Sequence, residues 1–579
     1  MTLSDPIPAT GRPPLVRALP WLVAGVTLVV FARVLSLPFS PIDDGATVGN
    51  PRLHPPAGTP PRWDSAGVLW FWAHPDLSLY IPVTYTVWGA TASATWSDKP
   101  AAGWHVEPAA FHALNLAFHA LAAAAVYSIL VRLLRAARPD DAGDDPPTVH
   151  WPAAAAALLY ALHPLQVESV AWVSGLKDVL AGSLSLCAFA LYLRATAHPR
   201  LHLPPYLAAT LLYALATLSK PSAITLPAVA FVIDALLLRR PSRGVVLRLL
   251  PWAVMAVPVV VVARAAQAGL SVPETPLPHR PVVAGASLSF YLWKLVLPTG
   301  LSFDHGWRPT VMLRLGWFWA VALVPVALAA LLLAFRRRPA ARVLGAAGLV
   351  LALSLAPVLG FVPFLYQHFS TVAEHYMHAA MLGPAIAAAW LLARASARAP
   401  HRRGPLAVGA AALLVVLAAL SFFELRHWTT AERFLRRVVA VTPDSVIGND
   451  ALGTHLGATG RPAEAEAAFK AAIDADPTFV TGRVNLVQFY DRQGRVDDQV
   501  RAMHDLRKAN DAHRPEVRLK LDGLFTQAGR AALDAGRPTR AVRFFEEALK
   551  LAPDDPAATA GLREAREWNS RGPAPAPRP

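Results

Sequence analysis

Charged residues are scarce in this sequence. Only 16% of its 579 residues are Asp, Glu, Lys or Arg, whereas about 25% is usual for a soluble globular protein. The deficit is confined to residues up to about 425, and the remainder has the composition of an ordinary soluble helical protein. This asymmetry argues against one soluble domain and predicts two regions in different solvents, the first of them a membrane.

Cysteine and nucleotide-binding motifs are scarce too. The single cysteine, Cys187, lies in an apolar run, so an intrachain disulfide is impossible and we interpret it as a small buried hydrophobic residue. The sequence has no Walker loop, no GxGxxG and no GxSxG, so ATP-driven and dinucleotide chemistry have no support. The net charge of +15 comes mostly from Arg. These residues form short clusters between apolar runs, which membrane topology explains better than nucleic-acid binding.

Long apolar runs are abundant instead, and a membrane-spanning helix needs about 20 such residues. The first run, 17–37, has no clear A-x-A cleavage site after it and is interpreted as a signal anchor. We predict eleven spans, near residues 17–37, 111–131, 152–168, 174–193, 204–219, 222–238, 249–268, 314–335, 342–361, 379–396 and 405–424.

The arginine clusters predict the orientation of these spans. With residues 1–16 in the cytoplasm, every dense cluster falls on the cytoplasmic side, as the positive-inside rule requires. An odd number of spans then places the C-terminal region outside, in the periplasm of a bacterial inner-membrane protein. The apolar stretches 77–92 and 283–298 are expected to lie along the interface, since counting 283–298 as a span would reverse the later clusters. The clusters are Arg12/Arg17, Arg132/Arg135/Arg138, Arg194/Arg200, Arg239/Arg240/Arg243/Arg248, Arg336/Arg337/Arg338/Arg342 and Arg394/Arg398/Arg402/Arg403.

An internal repeat follows residue 445. Small residues, an aromatic residue and a proline recur in three units, the second degenerate and the third preceded by a short insertion. This spacing is typical of tetratricopeptide repeats, in which pairs of helices stack and bury a shared core. Such stacks bind peptides or proteins in a concave groove and rarely catalyse. The positions of the first unit are Leu452, Gly453, Leu456, Gly460, Ala465, Phe469, Ala472 and Pro477, and those of the third are Gly529, Ala532, Gly536, Ala541, Phe545, Ala548 and Pro553.

Ionisable residues concentrate at the predicted outer ends of the spans, where a charge usually faces water, a partner or a site. Asp43 and Asp44 follow the first span and suit a catalytic base or a solvated turn. Lys220 could neutralise a phosphate or extend to the interface. The hairpin between spans three and four holds four such residues, which form either a site or polar helix caps: His163, Glu168, Lys177 and Asp178.

Two further groups of polar residues have open interpretations. The loop after span nine holds Glu374 and three histidines, including His375, but their spacing matches no firm zinc pattern. We therefore predict no metal site and no firm cofactor, and a divalent cation remains an alternative. His112, Asn115 and His119 share one face of span two, where we expect them to line a cavity, with packing inside the bundle as the alternative.

Several segments, taken in order, carry a family resemblance. They are the acidic doublet Asp43-Asp44, YIPVTYTVWGA at 80–90, FHALNLAFHAL at 111–121, ALHPLQVESVAWVSGLKDVLAGSL at 161–184, LATLSKPSAITLPAVAFVIDALL at 215–237 and AEHYMHAAMLGP at 373–384. Together they resemble the bacterial tetratricopeptide-repeat membrane proteins related to transmembrane and TPR-containing O-mannosyltransferases, in the GT-C glycosyltransferase superfamily.

This resemblance implies transfer of a mannose-like sugar from a polyprenyl-phosphate donor to a hydroxyl of a protein or envelope acceptor at the outer face. Asp43 or Asp44 would then be the catalytic residue. His163, Glu168, Lys177, Asp178, Lys220, Glu374 and His375 would bind the donor or its phosphate. The family often has an acid-Arg-Tyr triplet where this chain has Glu374-His375-Tyr376, and a histidine replaces that arginine for phosphate binding only when it is protonated.

The sequence thus predicts an all-α protein: a polytopic, GT-C-like bundle followed by a TPR solenoid. Its expected parts are a cytoplasmic segment 1–16, a membrane domain 17–425, a repeat domain 428–560 opened by a capping helix at 428–442 and continuous with the last span, and a disordered tail 561–579. Expected partners are a polyprenyl-phosphate sugar, a protein or peptide bound by the repeats, and the bilayer, without nucleic acid. Two alternatives are a non-catalytic scaffold for envelope assembly and a lipid or solute transporter, which would carry acids at the midplane.

Overall fold

The computed structural model describes residues 14–50, 52–53, 65–97, 99, 104–137, 146–267, 275–513 and 521–570. Within these ranges the chain is all-helical and has no β-strand. It divides into two compact units, Met1–Arg437 and Val438–Pro579. The predicted segment 1–16 falls mostly outside the described residues, as does the end of the predicted tail.

The first unit is a bundle of helices of very different lengths. Its α-helices are α1 Pro14–Phe31, α2 Asp44–Thr47, α3 Ser65–Ala73, α4 Pro82–Thr95, α5 Pro108–Ala136, α6 Pro146–Leu162, α7 Val167–Ala171, α8 Leu176–Ala195, α9 Leu203–Ser219, α10 Leu226–Val232, α11 Ser242–Ala266, α12 Arg280–Val296, α13 Pro309–Arg314, α14 Gly316–Ala322, α15 Val324–Ala334, α16 Pro339–Leu355, α17 Met377–Ala380, α18 Leu382–Arg398 and α19 Arg403–Glu424. The next helix, α20 Ala431–Val441, crosses the boundary between the units.

Seven helical stretches in the described ranges are long and apolar enough to cross a membrane, or eight if a pair bent by 52° counts as one span. The bent pair is Glu374–Ala380 with Leu382–Arg398. Three further apolar helices, Thr148–Leu162, Leu203–Ser219 and Pro221–Leu237, coincide with predicted spans but have only 10–17 residues. The predicted total of eleven is therefore not confirmed, although each predicted span falls on an apolar helix.

Several of the long apolar helices carry exposed apolar side chains. Val257 on α11, Leu333 on α15 and Val408 on α19 are 61%, 63% and 70% exposed. Continuous apolar surface of this kind is rare on soluble proteins and is compatible with contact to lipid. The stretches predicted to lie at the interface form α4 and α12, and neither is among the apolar spans.

Antiparallel neighbours bring the ends of distant segments together. Helix α8 runs from Leu176 to Ala195, and α9 packs against it and returns to Ser219. Asp178 at the start of α8 therefore meets Lys220 just after α9, and the two form an ion pair. Arg194 lies at the opposite end of α8, so the candidate site and this arginine cluster occupy different ends of the same helix.

The second unit consists of paired helices, as the repeat pattern predicts. The pairs are α21 Val446–Ala458 with α22 Pro462–Ala475, α23 Val480–Arg492 with α24 Val496–His513, and α25 Leu521–Asp534 with α26 Pro538–Leu551, followed by α27 Pro556–Ser570. Close packing explains the small residues, because a Cβ on Gly453 would lie 2.9 Å from the ring of Phe469. Gly460, Gly494 and Gly536 recur in the turn between the two helices of each pair, all at positive φ.

Two boundaries differ from the prediction. The predicted tail begins at 561, yet α27 continues to Ser570, because Ala558, Gly561 and Ala565 share one buried helical face. The remaining tail, 571–579, lies outside the described residues. The predicted capping helix 428–442 corresponds to α20, but a 3-10 turn at Leu425–Trp428 separates α20 from α19, so the two helices are not continuous.

Candidate functional site

A compact hairpin between α6 and α8 positions most of the candidate residues. It consists of a 3-10 turn at Pro164–Gln166, helix α7 and a second 3-10 turn at Val173–Gly175. The turns require Gly175, since a Cβ there would lie 2.7 Å from the carbonyl oxygen of Ser169. This fold buries Glu168 in α7 and presents Lys177 and Asp178 in the first turn of α8.

Asp44 attaches the segment between α1 and α5 to this hairpin. Its carboxylate accepts hydrogen bonds from the backbone N–H of Ser174 at 2.9 Å, from the hydroxyl of Ser174 at 2.7 Å and from the backbone N–H of Ser40 at 2.7 Å. The indole of Trp172 also donates to the carbonyl of Ile42 at 3.2 Å. Complete burial raises the pKa of Asp44 to about 6, and the three hydrogen bonds oppose that rise.

Asp43 has the opposite environment from its neighbour. Its side chain is exposed, and its backbone has φ 64°, a conformation uncommon for a residue with a side chain. Loss of solvation among the surrounding groups raises the pKa of Asp43, and the positive charge of Lys177 lowers it in part. The structure thus separates the doublet into one buried anchor and one accessible carboxylate.

Lys177 acts on this accessible carboxylate and on Asp178, and Lys220 pairs with Asp178. The ammonium of Lys177 donates to the carbonyl of Ser174 at 2.7 Å and stands 4.1 Å from the centre of the Trp172 ring. Lys220 pairs with Asp178 and lies 5.0 Å from the ring centre of Tyr376. Both ammonium groups rest on aromatic faces, which favour a cation.

Glu168 and Glu374 are buried, and each contacts a histidine. Glu168 accepts from the backbone N–H of His375 at 2.9 Å and from its Nδ1 at 2.8 Å, and Glu374 contacts Nε2 of His305 at 2.6 Å. Burial, followed by the charge of Glu374, raises the pKa of Glu168 well above its ordinary value. Nδ1 of a neutral His375 donates its proton to Glu168. Nε2 is then only an acceptor, so this histidine has no proton to donate to a phosphate.

A cavity opens beside these residues, between α8, α10, α16 and α17. Its cavity volume is about 60 Å³, and it is partly open to solvent. One part is polar and is lined by Asp178, Lys220, His375 and Tyr376. Another part is apolar and is lined by Leu186, Leu226, Val229, Val358 and Leu382. Such a cavity suits a ligand with a charged head and an apolar chain.

The structure therefore assembles most of the nine predicted site residues and leaves His163 out. Nδ1 of His163 accepts from the backbone N–H of Leu165 at 3.3 Å, and Nε2 contacts the carbonyl of Leu295 at 3.2 Å. Burial lowers the pKa of His163 to about 4. It thus caps a 3-10 turn as a neutral ring. Glu374 does not line the cavity, although the next two residues, His375 and Tyr376, do.

The polar face of α5 packs inside the bundle and does not line this cavity. Asn115 donates to the carbonyl of Trp172 at 2.7 Å, and Nε2 of His119 contacts the carbonyl of Ala161 at 3.0 Å. Both are fully buried, as is His112. The expectation that they line a cavity was wrong, because irregular backbone in the hairpin presents carbonyl groups that need donors.

Sequence reasoning missed several residues of the site. His305 was not singled out, and it follows a short loop whose sequence, FDHGW, offers little beyond an isolated acid-His pair. Ser174 and Trp172 lie inside the conspicuous hairpin sequence but were not assigned roles. Within the described ranges no group of three or more His, Cys, Asp or Glu could hold a metal ion.

Comparison with known proteins identifies one part of the chain. The family model of the tetratricopeptide repeat matches residues 523–555, which contain most of α25 and all of α26. The chain thus contains a tetratricopeptide repeat, and repeats of this kind generally mediate protein–protein interaction. No curated protein matches the chain.

Proposed function

We propose that the chain is a membrane glycosyltransferase of the GT-C type. It moves a sugar from a polyprenyl-phosphate donor to an acceptor hydroxyl at the outer face of a bacterial inner membrane. The observation that carries this proposal is the two-part cavity, polar at Lys220 and Asp178 and apolar at Leu226 and Val358. A polyprenyl phosphate has the same two parts, an anionic head and a long apolar chain.

The reaction needs a base, and Asp43 is the better of the two candidates. A general base must reach the acceptor hydroxyl within hydrogen-bond distance and have a free lone pair. Asp43 is exposed, whereas the oxygens of Asp44 already accept three hydrogen bonds. In the proposed step, Asp43 takes the hydroxyl proton as the acceptor oxygen attacks the anomeric carbon. The bond from that carbon to the phosphate oxygen breaks, and polyprenyl phosphate leaves.

One positive charge near Asp43 and a second one in the cavity lining would support the departure of the phosphate. Lys177 influences the carboxylate of Asp43 directly, and Lys220 lines the cavity. Ammonium groups held beside a leaving phosphate stabilise the charge that develops on it. The repeats of the second unit would bind the acceptor protein or a partner, in keeping with the general role of such repeats.

A non-catalytic scaffold is the second candidate, because the matched repeat at 523–555 would serve assembly equally well. The two functions differ in whether the membrane unit consumes a donor. Purified full-length protein in nanodiscs, incubated with a panel of polyprenyl-phosphate sugars and a membrane-protein extract as acceptor, should release polyprenyl phosphate from at least one of them. Release of that product does not depend on knowing the acceptor. If every donor stays intact, the scaffold is the better account.

A further inference from the structure

The backbone at Asp43 forms a tight γ-turn. The backbone N–H of Asp44 donates to the carbonyl of Ile42 at 2.9 Å, and Asp43 between them has φ 64° and ψ −33°. A γ-turn with a positive φ at its centre is rare and strained. A residue with a side chain keeps such a conformation only where its surroundings hold it in place. Contacts on both sides of Asp43 must therefore hold this turn.

The hairpin between α6 and α8 supplies these contacts. The indole N–H of Trp172 donates to the carbonyl of Ile42 at 3.2 Å, so this carbonyl accepts from both Trp172 and Asp44. On the other side of the turn, the carboxylate of Asp44 accepts from the backbone N–H and the hydroxyl of Ser174. Trp172 and Ser174 belong to one 3-10 turn, which Trp172 caps at its N-terminal end. One short segment thus fixes the residues before and after Asp43.

The same indole also supports Lys177. The ammonium of Lys177 lies 4.1 Å from the centre of the Trp172 ring, and its positive charge acts on the carboxylate of Asp43. The ring is itself held firmly, because Trp172 is buried and Phe303 packs edge-on against it at 5.2 Å. Asn115 also donates to the carbonyl of Trp172 at 2.7 Å. One side chain therefore sets the positions of both the carboxylate and the cation.

We propose that Trp172 is a positioning residue for the transfer reaction. Its N–H fixes the turn that carries the carboxylate of Asp43, and its ring fixes the ammonium of Lys177. Trp172 does not line the donor cavity, so it acts on the rate through Asp43 and not on donor binding. This inference rests on the proposed function and adds a residue that aligns its base, because misplacing a reacting group by about 1 Å can cost about 100-fold in rate.

Steady-state kinetics of the full-length protein in nanodiscs test this role. The donor is the polyprenyl-phosphate sugar from which wild type releases polyprenyl phosphate. Trp172→Phe keeps an aromatic ring but loses the indole N–H, so kcat should fall about 10- to 100-fold while KM for the donor stays the same. In an Asp43→Asn background the same substitution should cost less than about twofold, because a residue that acts through Asp43 then has no base to align.

Trp252→Phe is the matched control. Trp252 is fully buried, and its indole N–H donates to the hydroxyl of Thr210 at 2.9 Å, away from the cavity lining. This variant should keep the wild-type kcat and KM. Ser174→Ala loosens the other side of the turn and should show the same dependence on Asp43, so it provides the test if Trp172→Phe does not reach wild-type membrane levels.

Three results would overturn the inference: a wild-type kcat in Trp172→Phe, a rate loss that multiplies with that of Asp43→Asn, or a higher KM for the donor with an unchanged kcat. In each of these cases wild type still transfers sugar, and the proposed function stands. If wild type releases no polyprenyl phosphate from any donor, the proposed function fails, and this inference fails with it.

Discussion

At the scale of single residues, two adjacent aspartates have different physical roles. Asp44 is surrounded by donors and attaches the segment between α1 and α5 to the hairpin at Ser174. Asp43, one residue earlier, has its carboxylate exposed and its backbone in the left-handed region. A loop anchored by one carboxylate can hold the next in a fixed place, which is what a catalytic base requires.

The anchoring role predicts an unusual dependence of stability on pH. The pKa of Asp44 rises on folding from 3.8 to about 6, so the folded protein binds more protons than the unfolded chain between these values. Stability conferred by protonated Asp44 is therefore present at low pH and is lost as pH rises from about 4 through 6, by at most a few kcal/mol. Asp44→Asn, which does not ionise, should remove this component. Thermal unfolding in detergent from pH 4 to 8 measures it, and parallel curves for the two proteins would contradict the account.

The catalytic role predicts a pH effect of another kind, on rate. Asp43 acts as a base only when ionised, so transfer should increase with pH through a pKa above 3.8. Lys177→Met removes the charge that lowers the pKa of Asp43. The rise in transfer rate with pH should therefore shift to higher pH, and transfer should also become slower. Initial rates at saturating donor from pH 4 to 8 provide the test. If the variant is slower but its rate rises at the same pH as in wild type, Lys177 does not act on the base.

At the scale of helices and repeats, small residues set the spacing in the second unit. The ring of Phe545 lies between Gly529 on α25 and Gly561 on α27, and a Cβ on either glycine would collide with it. Gly523, on the same helix as Gly529, has nothing within 4 Å of an added Cβ. The glycines therefore divide into those that admit a neighbouring ring and those that do not.

This division predicts opposite effects of two similar substitutions. In a soluble fragment of residues 438–570, Gly561→Ala should destabilise the stack by about 1–3 kcal/mol through overpacking. Gly523→Ala should be neutral or stabilise it by up to about 1 kcal/mol, since alanine favours a helix. Urea unfolding followed by circular dichroism measures both. Little helical signal in the unmodified fragment would contradict the prediction that the repeats fold alone.

The sequence patterns predicted the helices of this structure better than they predicted which residues contact each other. Apolar runs indicated the long apolar helices, and the repeat spacing indicated the three helical pairs, because both depend on local periodicity. The roles of Asp43 and Asp44 could not be separated, since Ser174, which donates to Asp44 and not to Asp43, is 130 residues away from Asp44. The partner of His378, His119, is 259 residues distant. Nothing local in the sequence encodes such pairings.

At the scale of the whole molecule, the proposal depends on the orientation of the chain in the membrane. The positions of the arginine clusters and an odd number of spans predict that the repeats are periplasmic. In the described part of the chain, seven helices, or eight with the bent pair, are long and apolar enough to span. An alkaline phosphatase fused near residue 560 should be active, because this enzyme matures only outside the cytoplasm. An active cytoplasmic reporter at the same place would reverse the orientation and remove the repeats from the outer face.

The short helices α9 and α10 bear directly on this orientation. They flank Lys220, and α10 forms part of the wall of the cavity together with α8. A cysteine introduced in place of Ser222, which lines the same cavity, should react with a membrane-impermeant maleimide added from the outside. Labelling only after the inner face is exposed would place the cavity on the cytoplasmic side.

The central claim is that the membrane unit transfers sugar with Asp43 as its base, and one comparison tests it most directly. Wild type, Asp43→Asn and Glu107→Gln, at matched membrane levels, are assayed for polyprenyl phosphate released from a lipid-linked sugar. Glu107 is an exposed acid in the same segment between α1 and α5, at the start of α5, and serves as the control. The account predicts that Asp43→Asn loses about 10²–10⁴-fold in rate while remaining folded, and that Glu107→Gln matches wild type. Wild-type activity in Asp43→Asn would contradict it.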